Sequence, residues 1–517
     1  YLTIQWEEVP PYAGFKDHRP TSVTSSIGYR LEFSYQTNPY GSYLGSTLSS
    51  AQIMKTSAPG VPLTKFTYTE NTITDLAGRT FTCTSCRNWL GGPQPVPATS
   101  TKLPGETVNT FTASAVSTNH GNGFTHSNLT TDVDADGMHF DYTWLQSGFR
   151  YQGGNTEILE EVTVTGPDGF YRYVDIENTS ALNGVSRVKS IRDSQGRTTT
   201  YGYTGLFTRL TSITYPEGNS VEITYDGPIN ISEVRTKAIP VTGLPDIVQK
   251  ANYDPYVFEC TQMKCWLPNW TEDAKGNRTD YTWDATTGVM LTSLAPVDAN
   301  GQRAKTKYSY TSTGPKRVIR EELCAASSTG TELTCGPANS FVRQTTYFGD
   351  TSLPLTETIT DGVGNGPLTT TYTYDDAGRV KSQDGPLPGT DDAMYYRYDV
   401  VGRKIREVGP KGENGWRPAT LTTYRPADDQ VELVQTGRVP GNDPDGVFTL
   451  HNEMATDYNV NRLPIANKVG PNLATTAPTA LTQISYDSRN RESCTAVRMN
   501  PAVFASPPAD ACALGTQ

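Results

Sequence analysis

The chain has 517 residues, 35% of them hydrophobic and 19% charged, with a net charge of −11 at pH 7. Its longest apolar runs, such as Gly288-Val289-Met290-Leu291, fall far short of the roughly 20 residues a helix needs to cross a bilayer. No basic run is present to neutralise phosphates, which argues against a nucleic-acid partner. Tyr, Gly and Pro are abundant (29, 46 and 35), the composition of short aromatic strands punctuated by turns, so the chain reads as all-β. Five His and seven Met leave little material for a metal or haem centre, and no cofactor is expected.

The chain begins at Tyr1 without an initiator Met or a readable export signal, and is expected to be a piece of a longer polypeptide. As far as about residue 62 it reads as strand pairs, with Tyr29 to Tyr35 alternating apolar and polar side chains at the period of a half-buried strand. Asp75-Leu76-Ala77-Gly78-Arg79 then introduces a pattern that returns: a strand, Asp-x-x-Gly-Arg, and a second strand. Residues 92–110, rich in Pro, Thr and Gly, read as a loop or irregular insertion.

Asp132, Asp134 and Asp136 have the spacing that opens a calcium loop, but Thr143 stands where a bidentate Glu belongs and no helix pattern flanks them. A hairpin tip at Asp136-Gly137 is the preferred reading, and the three carboxylates remain a weak calcium candidate. Pro167-Asp168-Gly169 marks a further hairpin turn.

From about residue 185 the pattern is legible at length. Copies stand at Asp193, Gly196 and Arg197, at Asp273 to Arg278, at Tyr374, Asp375, Gly378 and Arg379, and at Tyr398, Asp399, Gly402 and Arg403, 24 residues on. The last copy, Tyr486, Asp487 and Arg491, has Asn490 in place of Gly, the residue that next best tolerates a left-handed turn. Asp can accept from backbone N–H groups two or three residues on, Gly supplies positive φ, and Arg can fold back on a carboxylate or an aromatic ring. The preceding Tyr is expected to pack its ring on the equivalent ring of the next unit. One such hairpin is marginal in water, so the units must stack. The organisation expected is a β-rich region with degenerate copies over residues 1–184 and a repeat solenoid over 185–517.

The cysteines lie in four local pairs: Cys83/Cys86, Cys260/Cys265, Cys324/Cys335 and Cys494/Cys512. An even count in close pairs favours disulfides and an oxidising compartment. Cys83-Thr84-Ser85-Cys86 has CxxC spacing, without the βαβ context of a redox site or a second knuckle for zinc.

The Tyr-Asp-x-x-Gly-Arg units, in several copies at a period near twenty residues, resemble the YD-repeat or RHS-repeat family. The resemblance implies a long antiparallel β-strip spiralling into a hollow shell or tube, as in bacterial cocoons that enclose a C-terminal toxin and in the shells of animal teneurins. It implies a bacterial, exported, cell-surface or extracellular protein. Its partner would be its own C-terminal segment or toxin cargo, or further copies in a larger shell or fibre. The self-cleavage motif and toxin of toxin-bearing members are not recognisable here, and the cysteine pairs fit a cell-surface or periplasmic protein better than a cytoplasmic one.

No nucleophile elbow, P-loop or dinucleotide fingerprint occurs, and the histidines at 18, 120, 126, 139 and 451 lack metal-site spacing, so a non-catalytic structural role is expected. The alternative is a carbohydrate-binding adhesin stacking sugars on Trp144, Trp266, Trp270 or Trp283; an enzyme on a repeat scaffold ranks below it. Asn128, Asn178, Asn230, Asn269 and Asn277 stand in glycosylation sequons.

Overall fold

The computed structural model describes residues 2–12, 15–25, 28–37, 46–69, 71–83, 100–102, 111–119, 124–132, 139–151, 154–178, 186–204, 209–227, 229–254, 263–327, 340–361, 366–488 and 490–513. Among them are thirty-six strands in one sheet and no α-helix; the helical pieces are single 3-10 turns such as Pro167–Gly169 and Met263–Trp266. Each strand pairs antiparallel with the next in sequence, from Leu2–Tyr12 on Phe15–Ser25 to Ala480–Tyr486 on Glu492–Arg498. The architecture is therefore a long meander of hairpins. Pairing continues from Phe170–Asn178 to Ser186–Asp193, and residues 100–102, expected within an irregular insertion, form a short strand between Thr80–Cys83 and Phe111–Asn119.

The abundant Thr builds cross-strand hydroxyl pairs: Thr282 with Thr292 (2.7 Å), Thr346 with Thr356 (2.6 Å) and Thr373 with Ser382 (2.6 Å). Such pairs, with β-branched side chains opposite one another, are the unit of sheet stabilisation. A bulge recurs at one place in the hairpin, where the strand-ending aromatic meets the strand returning from the turn. The register slips there by one residue at Tyr203, Tyr225, Trp283, Tyr310, Tyr347, Tyr374, Tyr398, Tyr424, Tyr458 and Tyr486. A bulge bends its strand and increases the local twist, so one bulge per hairpin in constant phase coils the strip.

The coil closes on itself. The turns of a meander alternate between two rims, and the turn after the second strand (Phe15–Ser25) meets the turn after the twenty-seventh (Leu368–Tyr374). The Tyr29 hydroxyl reaches the Asp376 carbonyl at 3.5 Å, and Lys55, paired with Tyr29 across the sheet, binds Asp376 Oδ1 at 2.6 Å. The turn after the sixth strand (Thr72–Asp75) meets the turn after the thirty-first (Trp416–Tyr424), with Arg79 on the Pro426 carbonyl at 3.5 Å and on the Asp429 carboxylate. Both contacts skip twenty-five strands and join opposite rims, which is how successive turns of a helical ribbon stack.

A chain of this mass folded into a compact body would expose about 18,500 Å²; this one exposes 30,725 Å². Burial concentrates in two small clusters near the C-terminal end, Val408, Ala419 and Val439, and Ala466, Leu481 and Phe504. The longer turns of these hairpins fold over them. Arg417, 1% exposed, ties those turns together through the carbonyls of Gly441, Ala393, Gly409 and Thr390.

Candidate functional site

The unit that the chain repeats brings acid, base and aromatic together, and its geometry decides what they do. In Asp375 to Arg379, Asp375 Oδ1 accepts from the backbone N–H of Ala377 (2.9 Å) and of Arg379 (3.0 Å), while Oδ2 accepts from Arg379 Nε at 2.7 Å. The Asp375 N–H donates to the Arg379 carbonyl (2.9 Å) and the Gly378 N–H to the Asp375 carbonyl (3.0 Å), with Gly378 at φ +77°. Only a residue without Cβ adopts that φ at little cost. The same set of bonds holds Asp75, Asp193 and Asp399. Asp487 clasps Arg491 likewise, with Asn490 at φ 58° in the glycine position. In Asp273 to Asn277 the amide of Asn277 replaces the guanidinium, at 2.8 Å.

Two further turns of this kind, absent from the copies read in the sequence, also escape the Asp-x-x-Gly-Arg pattern. Asp298 accepts from Asn300 and Gln302 N–H, and the Asp-x-x-Gly spacing alone finds it. Asn459 accepts from Asn461 and Leu463 N–H, with Arg462 at φ 63°, and its sequence carries no glycine signal.

The tyrosine differs from the expected stack of rings. Strand-ending phenols donate back to a carbonyl at the start of an earlier strand, in four copies that of the first residue after the preceding unit's turn: Tyr374 to Pro354 (2.6 Å), Tyr398 to Val380 (3.0 Å), Tyr424 to Lys404 (2.9 Å) and Tyr486 to Pro464 (3.0 Å). A guanidinium occupies the space between rungs, Arg379 over Tyr398 at 4.7 Å and Arg403 over Tyr424 at 4.8 Å. One Arg therefore clasps its own Asp edge-on and covers the next Tyr with its planar face, which cation and ring quadrupole favour over a bare ring pair.

The electrostatics move these groups away from neutrality. Hydrogen bonding to Arg197 and Asn277 holds the carboxyls of Asp193 and Asp273 below the ordinary value. Burial works to raise Asp399, but the Arg403 backbone N–H and guanidinium outweigh it and the carboxyl lies low. Burial and a hydrogen bond to Glu357 push Tyr372 up to about 12, and a hydrogen bond to Glu161 pushes Tyr173 to about 12. These are settings of structural hydrogen bonds; a general acid or base would be tuned toward working pH.

The remaining candidates are scattered. Cys494 and Cys512 form a disulfide; Cys265 and Cys324 are also disulfide-bonded. Cys86, Cys260 and Cys335 lie outside the described residues, as does the side chain of Cys83. Asp134 and Asp136, with the side chain of Asp132, lie outside them too, while the strands Phe124–Asp132 and His139–Tyr151 on either side pair as a hairpin. Among the described residues no three acidic, His or Cys side chains converge as a metal site. Trp283 Nε1 donates to the Pro268 carbonyl at 2.8 Å and Trp270 lies under Arg278, so both indoles are engaged in the sheet; the Trp144 side chain lies outside the described residues. Of the sequon asparagines, the side-chain amides of Asn230, Asn269 and Asn277 are bonded internally.

Residues 183–220 match the family model of the RHS repeat. The chain carries an RHS repeat. The matched stretch spans the Asp193 clasp and the bulged Tyr203 rung, so the RHS unit is the bulged, clasped hairpin described above, and further hairpins of the sheet share its bonds. No curated protein matches the sequence. Among solved structures the chain is similar to TcdB2-TccC3-TEV, at 11% identity and a TM-score of 0.34 over 91% of this chain and 31% of that one. It is similar also to TcdB2-TccC3-Cdc42, at 12% and 0.34 over 97% and 28%, and to TcdB2-TccC3 without its hypervariable C-terminal region, at 10% and 0.20 over 92% and 36%. The chain thus spans about a third of the length of these proteins.

Proposed function

We propose that the chain is a stretch of wall in a hollow β-shell that encloses another part of its own polypeptide, on the C-terminal side, outside the cytoplasm. The observation that carries the reading is the stacking of opposite rims after twenty-five strands. At about 4.8 Å per strand that is a girth of about 120 Å and a diameter of about 38 Å between backbones, and side chains of about 5 Å on each wall leave a lumen roughly 28 Å across. The surface, far larger than a compact chain would show, is that of a wall with two accessible faces. Clasp, rung and bulge are all used in building it, which supports a structural role without chemistry of its own. The Cys494–Cys512 bond supports placement in an oxidising compartment.

Limited proteolysis of the native polypeptide tests enclosure. The segment C-terminal to residue 517 is expected to resist a protease until the wall is unfolded. Its digestion at the rate of a free chain, with the wall intact, contradicts the reading.

A further inference from the structure

The two stacked turns meet without any strand of one pairing with a strand of the other, since every described strand pairs only with its neighbours in sequence. Side chains on the rims make the junction, and apart from the Tyr29 hydroxyl those described are charged. Lys55 pairs with Asp376. Arg79, already clasped to Asp75, reaches across to Asp429, and Arg403, clasped to Asp399, reaches the same Asp429 Oδ1 at 2.6 Å. Asp429 is half exposed and held at φ 61°, a conformation that costs a non-glycine residue, in a turn whose backbone aims its carboxylate at both guanidinia. Two RHS clasps 324 residues apart thus share one carboxylate.

We propose that Asp429 is the pin of a charge-held latch that fastens one turn of the ribbon to the next, so that the wall opens along this seam without unfolding its hairpins. The inference rests on the shell reading and adds to it a mode of opening. Ion pairs between exposed groups are individually weak, whereas each hairpin is held by a backbone ladder, so the seam parts before the sheet does. Salt is the natural key. The screening length falls from about 10 Å at 0.1 M to about 3 Å at 1 M, which weakens these exposed pairs and the longer-range attraction of the rims and leaves the ladders in place.

The test joins the native Lys55 and Asp376, whose side chains touch in the closed form, with a zero-length carbodiimide, and reads the resulting amide cross-link by peptide mapping, which leaves every seam ion pair in place before reaction. The full chain is compared at about 0.05 M and about 1 M NaCl, with and without Asp429→Asn or Arg79→Gln. Cross-linking is expected at low salt and to fall several-fold at high salt. It should fall equally at low salt in either further variant, with a larger radius of gyration by X-ray scattering and an unchanged strand signal in circular dichroism. Equal cross-linking in all conditions overturns the latch and leaves the wall standing, as does loss of strand signal in both variants, which would make the pin part of the fold itself. No cross-link in the parent at low salt overturns the stacking of turns, and the shell reading with it.

Discussion

The Asp of each RHS unit is a backbone cap, and that assigns its energetics. Asp399 Oδ1 takes two N–H groups and Oδ2 one guanidinium edge. Asp399→Ala is expected to cost about 1–3 kcal/mol locally by leaving those donors unpaired, and Asp399→Asn less. Hydrogen exchange in Met394–Tyr398 and Lys404–Val408 reads the loss. The pH dependence follows from the sign of the shifts. Asp193, Asp273 and Asp399 have folded values below their unfolded ones, so their contribution is complete at neutral pH and is lost as pH falls below about 4 through the depressed folded values. Asp384 runs the other way. Burial, and then the neighbouring charge of Asp392, raise its carboxyl, and Oδ1 has no hydrogen-bond partner. Its contribution is present at low pH and lost as pH rises through the raised folded value, so Asp384→Asn is expected to raise the unfolding temperature at pH 7 and to change it little at pH 3. A lower temperature at pH 7 would show that its charge is used.

At the scale of the hairpin, the turn was legible in the sequence and the rung was not. Asp-x-x-Gly-Arg is a local instruction: five consecutive residues contain the acceptor, the donors and the glycine, so spacing alone places the clasp. The Tyr374 bond to Pro354 and the slot of Arg379 over Tyr398 depend on the register of neighbouring strands, and the bulge sets that register. Apolar alternation does not mark a bulge. Arg417 is a further case: nothing in Trp416-Arg417-Pro418 distinguishes a buried hub bonded to four carbonyls from a surface strand residue. Since each unit touches mainly its neighbours, damage should stay local. Leu481→Ala, in the buried C-terminal cluster, is expected to cost about 2–5 kcal/mol and to speed exchange in Pro464–Gly470, Ala480–Tyr486 and Glu492–Arg498, with Thr198–Thr204 unchanged. Acceleration in both regions would mean that the strip unfolds as one body.

At the scale of the molecule, the all-β strip follows from composition and repeat, whereas its girth comes from contacts 321 to 350 residues apart that no local pattern encodes. Asp429 shows why: its neighbours Pro426, Ala427 and Asp428 read as an ordinary turn, and its importance lies in what the coil brings to it. The twenty-five-strand repeat is the central claim, and single-particle imaging of the purified chain tests it most directly. A curved wall about 38 Å across between backbones, with opposite rims touching after one revolution and an open lumen, is the result predicted. A compact globule, or a flat strip whose ends never meet, would contradict it.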